Sequence, residues 1–221
     1  MQRTEVDIRQ AVEEQLRADA RVPYEGIQVL VTDGTVILRG SVPSYRAKWA
    51  TGEAARRVRG VYDVDNKLQV LITAPSDDER VANDIRSAMM RDADVDSSGI
   101  HVDVREGRVR LQGTVSSGWE RSRAEEDARW TRGVVSVVNQ ITVVPTHSRQ
   151  DAELAIHIAG ALQRDAAVDP AAIQVTVADK HATLSGVVRS WAERNAALDA
   201  ALHVPGVVDV RDELALHYAQ T

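Results

Sequence analysis

"RGVYDVDNKLQV" occupies residues 59–70, "RGVVSVVNQITV" residues 132–143 and "PGVVDVRDELAL" residues 205–216. All three read Gly-Val-x-x-Val-x-(Asn/Asp)-x-(Leu/Ile), and Gly60, Gly133 and Gly206 stand 73 residues apart. The same offset joins Ile27, Ile100 and Ile173, then Gly40, Gly113 and Gly186, then Asp19, Asp92 and Asp165. A fixed period is the first thing a sequence says about architecture. This one exceeds the length of most solenoid repeats, so it predicts three copies of a small domain rather than turns of a superhelix. The expected domains are 1–73, 74–146 and 147–221, with short proline-containing linkers at 73–77 and 145–149.

Each copy carries one pattern of elements. Ile8, Val12 and Leu16, Val81, Ile85 and Met89, and Leu154, Ile158 and Leu162 fall at four-residue spacing, the apolar stripe of a helix. Ser76-x-x-Glu79 has the form of a capping box before the second of these helices. Period-two alternation then surrounds Asp33-Gly34, Glu106-Gly107 and Asp179-Lys180, which predicts two-residue hairpins. Ser44, Ser117 and Ser190 suit the N-cap of a second helix. Glu120 and Glu193 three residues on predict capping boxes there; Ala47 breaks the pattern in the first copy. The inward positions of this helix are small, as at Thr51 and Ala55, which lets it approach a sheet closely. Gly60, Gly133 and Gly206 end the second helix in a left-handed turn. The following Val-x-x-Val starts a third strand, with Asn66, Asn139 or Asp212 serving backbone groups near its entry. The fold class is α+β: three tandem α-β-β-α-β domains, each with two helices packed on one face of a three-stranded mixed sheet. Gly40, Gly113, Gly186 and the three motif glycines are expected to be structural.

Composition removes several function classes. The 221 residues are 43% apolar and 27% charged, which is globular. There is no cysteine, hence no disulfide or thiolate chemistry. Charge is uneven: 11 Lys/Arg against 10 Asp/Glu in 1–73, 10 against 13 in 74–146 and 6 against 10 in 147–221. That balance excludes the basic footprint of a nucleic-acid binder. No apolar run reaches the ~20 residues of a membrane span, and "QRTEVDIRQ" after Met1 is not an export signal. A cytoplasmic location is expected, or a periplasmic one if a leader has been removed.

The hairpin, "GTVILRGSV", helix and "GVYDVDNKL" together resemble the BON domain family, three times over. The resemblance implies a bacterial, non-enzymatic binding protein, linked to phospholipid or to osmotic and envelope stress. It also raises a potassium-responsive alternative, for which Asp63, Asp65 and Asn66 offer oxygen ligands.

No catalytic constellation, metal set or cofactor motif stands out. The six histidines lack metal-ligand spacing, and His147 and His181 read as surface residues. The candidate binding residues lie mainly in "SYRAKWATGEAARRVRG": Arg46, Lys48, Arg56, Arg57 and Arg59 around Trp49. Such a face suits anionic headgroups, each cation contributing ~1 kcal/mol, or is a solvated face with a Glu53–Arg57 pair. Trp119 and Trp191 recur near helix starts, either as clamps between helix, sheet and neighbouring unit or as anchors for a protein partner. The two leading partners are therefore an anionic phospholipid surface and another protein.

Overall fold

The computed structural model describes residues 4–71, 77–146 and 149–217. The first unit runs α1 (Glu5–Ala18), β1 (Ile27–Thr32), β2 (Thr35–Val42), α2 (Tyr45–Arg56), β3 (Asp63–Asn66) and its short continuation β4 (Gln69–Val70). The second runs α3 (Asp78–Arg91), β5 (Ile100–Arg105), β6 (Arg108–Val115), α4 (Gly118–Trp130) and β7 (Ser136–Val143). The third runs α5 (Asp151–Arg164), β8 (Ile173–Ala178), β9 (His181–Val188), α6 (Trp191–Leu202) and β10 (Asp209–Leu216). In every unit the second strand is central. It pairs antiparallel with the first and parallel with the third. Both expected linkers include residues outside the described set.

The apolar stripes do what their spacing implies. Ile8, Val12 and Leu16 are buried, as are Val81, Ile85 and Met89, and Leu154, Ile158 and Leu162. Each stripe joins one of three separate cores, with Leu38, Leu111 and Leu184 from the central strands fully covered in them. Against each core the second helix presents small residues: Thr51 and Ala55, Ala124 and Ala128, Ala197 and Ala201.

Capping differs in detail from the expectation. α1 carries a reciprocal capping box, in which Asp7 N–H donates to Thr4 Oγ1 and Thr4 N–H donates to Asp7 Oδ2. α3 is capped by Asp77, which accepts from Arg80 N–H; Ser76 lies outside the described residues. Ser44, Ser117 and Ser190 do cap α2, α4 and α6. The boxes expected at Glu120 and Glu193 do not close on the cap. Each glutamate accepts instead from the N–H of the residue before the cap, Ser116 or Arg189, and from a loop amide, Asp96 or Asp169. The physical gain is larger, because one buried carboxylate satisfies two amides that no strand or helix would reach.

The hairpin turns place Asp33, Glu106 and Asp179 at φ near 50°, with Gly34, Gly107 and Lys180 also left-handed. Lys180 therefore holds a conformation that costs a side-chain-bearing residue ~1 kcal/mol. An acid at the start of the unit's first helix braces each turn: Glu5 accepts from Asp33 N–H, Asp78 from Glu106 and Gly107, and Asp151 from Asp179 and Lys180. On the opposite side of the hairpin, Gly40 sits at φ 122°, and a Cβ there would lie 2.1 Å from Gly26 O. Gly113 and Gly186 repeat this against Gly99 O and Ala172 O. No other residue fits that approach.

Asn66 and Asn139 act inside the third strand rather than at its entry alone. Their Nδ2 groups reach across to the second helix and donate to Lys48 O (2.7 Å) and Arg121 O (3.1 Å). Their Oδ1 atoms accept from Leu68 and Ile141 N–H. Asp212 cannot donate. It keeps the strand bond, from Leu214 N–H, and receives Arg194 Nε at 2.7 Å from the helix instead.

Candidate functional site

The three units meet head to tail around a ring. Tyr45 N–H, opening α2, donates to Val134 O of the second unit (3.3 Å). Gly118 N–H, opening α4, donates to Val207 O of the third (3.2 Å). Trp191, opening α6, donates through its indole Nε1 to Val61 O of the first (3.2 Å). Donors and acceptors both follow the 73-residue offset, so the valine of each Gly-Val motif is also the socket for the preceding unit. Gly118 allows the closest of these approaches: a Cβ there would lie 2.7 Å from Val208 O.

The seams are filled differently. Between the first and second units, Trp49 meets Trp130 edge-to-face at 5.1 Å, and Arg46 lies over the same indole at 5.0 Å. Between the second and third, Trp119 stacks on His203 at 3.6 Å, and Arg121 pairs with Asp209 at 2.7 Å. Trp119 Nε1 also donates to Asp94 Oδ2. Between the third and first, Ala192 and Arg57 occupy the places held elsewhere by Arg46 and Trp130, or Trp119 and His203. What remains there is a cleft of about 460 Å³ lined by Arg56, Arg57, Arg59, Arg189, Trp191 and Ala192.

The candidate basic residues thus divide. Arg56 pairs with Glu53 at 2.9 Å and lies over Trp191 at 5.0 Å, so Glu53 takes Arg56 and not Arg57, the partner expected from four-residue spacing. Arg46, Arg57 and Arg59 are exposed, and Lys48 is half-buried on the same helix. Trp49, Trp119 and Trp191 are all engaged between units. The ring contacts were hidden from sequence reading because each seam uses a different pair of side chains. The signal was nonetheless present in the offset of Tyr45, Gly118 and Trp191 against the motif valines.

Burial perturbs two carboxyls. Burial, with help from the Asp92 charge, pushes the Asp127 carboxyl up to about 6. Its Oδ2 is buried without a hydrogen-bond partner among the described residues. Burial also pushes the Asp199 carboxyl up. A hydrogen bond from Arg21 holds Asp19 down at about 2, with Arg57 contributing at longer range.

Oxygen ligands do not gather. Asp65 pairs with Lys67 at 2.7 Å, Asp63 accepts from Val64 N–H, and Asn66 is committed to Lys48 O. Among the described residues no group of three or more His, Asp or Glu is placed to hold a metal ion. No helix among them is long and apolar enough to cross a membrane.

A thrice-repeated α-β-β-α-β unit, with a basic cleft at one of its seams, defines a modular binding protein built from one minidomain. The BON domain model matches residues 4–71, 77–145 and 150–217, and the chain belongs to that family. It is 31% identical over 121 residues to osmotically-inducible protein Y of Escherichia coli (strain K12), covering 52% of this chain and 60% of that one. It is 28% identical over 149 residues to a 21 kDa hemolysin of Actinobacillus pleuropneumoniae, covering 64% and 76%. Among solved structures, CdsD, a structural protein of the type III secretion system of Chlamydia trachomatis, aligns over 96% of this chain and 92% of its own at 15% identity. Its TM-score is 0.29.

Proposed function

We propose that this protein is a non-enzymatic binding module that docks on anionic phospholipid surfaces as part of an osmotic or envelope stress response. BON relatives support the binding and stress elements, one of them being named for osmotic induction. The observation that carries the membrane element is local. Exposed Arg46, Arg57 and Arg59 line the second helix and its exit in the first unit, the one copy without an acidic excess. Each such cation near an anionic surface contributes ~1 kcal/mol, and screening over ~8 Å keeps the acidic units from cancelling it. Docking through cations rather than inserted indoles fits the placement of Trp49, Trp119 and Trp191 between units.

Co-sedimentation with anionic liposomes tests this. Binding is expected at low salt and weaker at physiological salt, and a triple Arg46→Ala, Arg57→Ala, Arg59→Ala variant is expected to stay in the supernatant. A parent protein that never pellets at low salt ends the proposal. A protein-scaffold role would instead draw on outward sheet positions such as Leu30, Val138 and Val187, which remain exposed.

A further inference from the structure

We propose that the cleft between the third and first units is a binding site for a phosphate-bearing anion. It deepens the membrane reading by naming the group recognised, and rests on that reading only for where such a group would come from.

Three seams are built from equivalent positions. Two are plugged by aromatic contacts, Trp130 edge-to-face with Trp49 and Trp119 against His203, and the third is not. At the third, arginines arrive from both sides: Arg56, Arg57 and Arg59 from the end of α2, and Arg189 from the turn before α6. No carboxylate lines the cleft. Glu53 and Asp169 hold Arg56 and Arg189 from outside the lining, and the exposed Arg57 guanidinium has only the longer-range charge of Asp19 nearby among the described residues. A buried Nε without a partner is shared by Arg56 and its equivalent Arg129, so that feature distinguishes neither seam.

Like charges drawn into one concavity repel unless a counter-charge sits among them. Guanidinium forks bind oxyanions bidentately, and several converging forks suit a tetrahedral group with three or more oxygens better than a planar carboxylate. The cleft is larger than a phosphate alone, and Trp191 and Ala192 offer an apolar wall for whatever the phosphate is attached to. Arg56 and Arg194 both lie within 5.0 Å of the Trp191 ring, which fixes that wall.

The test uses the full chain in two arms. In the first, inorganic phosphate is titrated calorimetrically at constant ionic strength. One saturable site per chain is expected, weakened about tenfold or more by Arg57→Ala and by Arg189→Ala. Ala192→Trp, which plugs this seam as Trp119 plugs its own, is expected to abolish binding, and the exposed-surface control Arg80→Ala to leave it unchanged. Circular dichroism checks the fold; should Ala192→Trp misfold, the exposed Arg57→Ala change carries the test. In the second arm, vesicles of phosphatidylcholine with and without phosphatidic acid replace free phosphate. Phosphate binding with vesicle binding assigns a lipid headgroup; phosphate binding without it assigns a soluble ligand. Absence of saturable phosphate binding, or equal binding by all variants, overturns the site. Vesicle binding that ignores Arg57→Ala and Ala192→Trp also overturns it, while leaving the membrane reading standing.

Discussion

The seam between the first and second units and the seam between the third and first occupy equivalent places and are built by opposite means. One carries two indoles edge-to-face, with a guanidinium over one of them; the other carries arginines around an open cleft. The backbone sockets, Val134 O and Val61 O, are the same element of the motif. The lesson is that the repeat fixes where units touch, while residues outside the motif decide whether a contact is a clamp or a site.

The largest test of this contrast asks whether the ring melts as a whole. Leu111→Ala opens a cavity in the second core and is expected to cost ~2–5 kcal/mol. If seams couple the units, unfolding by denaturant stays a single transition at a lower midpoint. Two transitions would mean that the units stand alone. Next come the seams themselves. Trp130→Ala removes the partner of both Trp49 and Arg46 and is expected to cost about 2 kcal/mol. Arg57→Ala, at the equivalent position of the open seam, is expected to change stability by less than ~0.5 kcal/mol in phosphate-free buffer. Similar losses for the two would break the distinction between clamp and site.

A smaller effect separates the second unit from its neighbours. Asp127 stands where the others have Ala54 and Ala200. Its folded pKa of about 6 lies above the unfolded value, so the native state binds the proton more tightly. The protein therefore gains stability from this group as pH falls from 7 toward 4, and is penalised above pH 6. Asp127→Asn is expected to raise stability at pH 7 by about 1 kcal/mol, allowing for solvent screening, with the gain vanishing near pH 4. Thermal melts of both proteins across that range check it. A further small gain lies in the third hairpin. Lys180→Gly relieves its left-handed strain and is expected to stabilise by about 0.5 kcal/mol, offset in part by unfolded-chain entropy.

Most of the unit was legible because its cues are local. Ile8, Val12 and Leu16 announce a helix within three turns, and Asp33-Gly34 announces a turn within two residues. The boxes at Glu120 and Glu193 were misread because a carboxylate three residues past a serine has two routes to an amide. Only the loop carrying Asp96 or Asp169 decides which it takes. The bond from Asn66 to Lys48 O joins strand to helix, and strand alternation says nothing of it. The candidate site was legible by half. "EAARRVRG" showed the charge on one side of the cleft, but Arg189 lies 130 residues beyond Arg59 and enters only through ring closure.

Head-to-tail closure has a consequence for any fragment. Each unit offers a helix start to one neighbour and a valine socket to the other, so the contact is heterologous and is satisfied everywhere only when three units close on themselves. Excising one unit would leave a two-module piece with one unmatched plug and one unmatched receptacle, alike in their backbone socket. Such pieces join end to end, and their sedimentation would climb with concentration instead of settling at a single species.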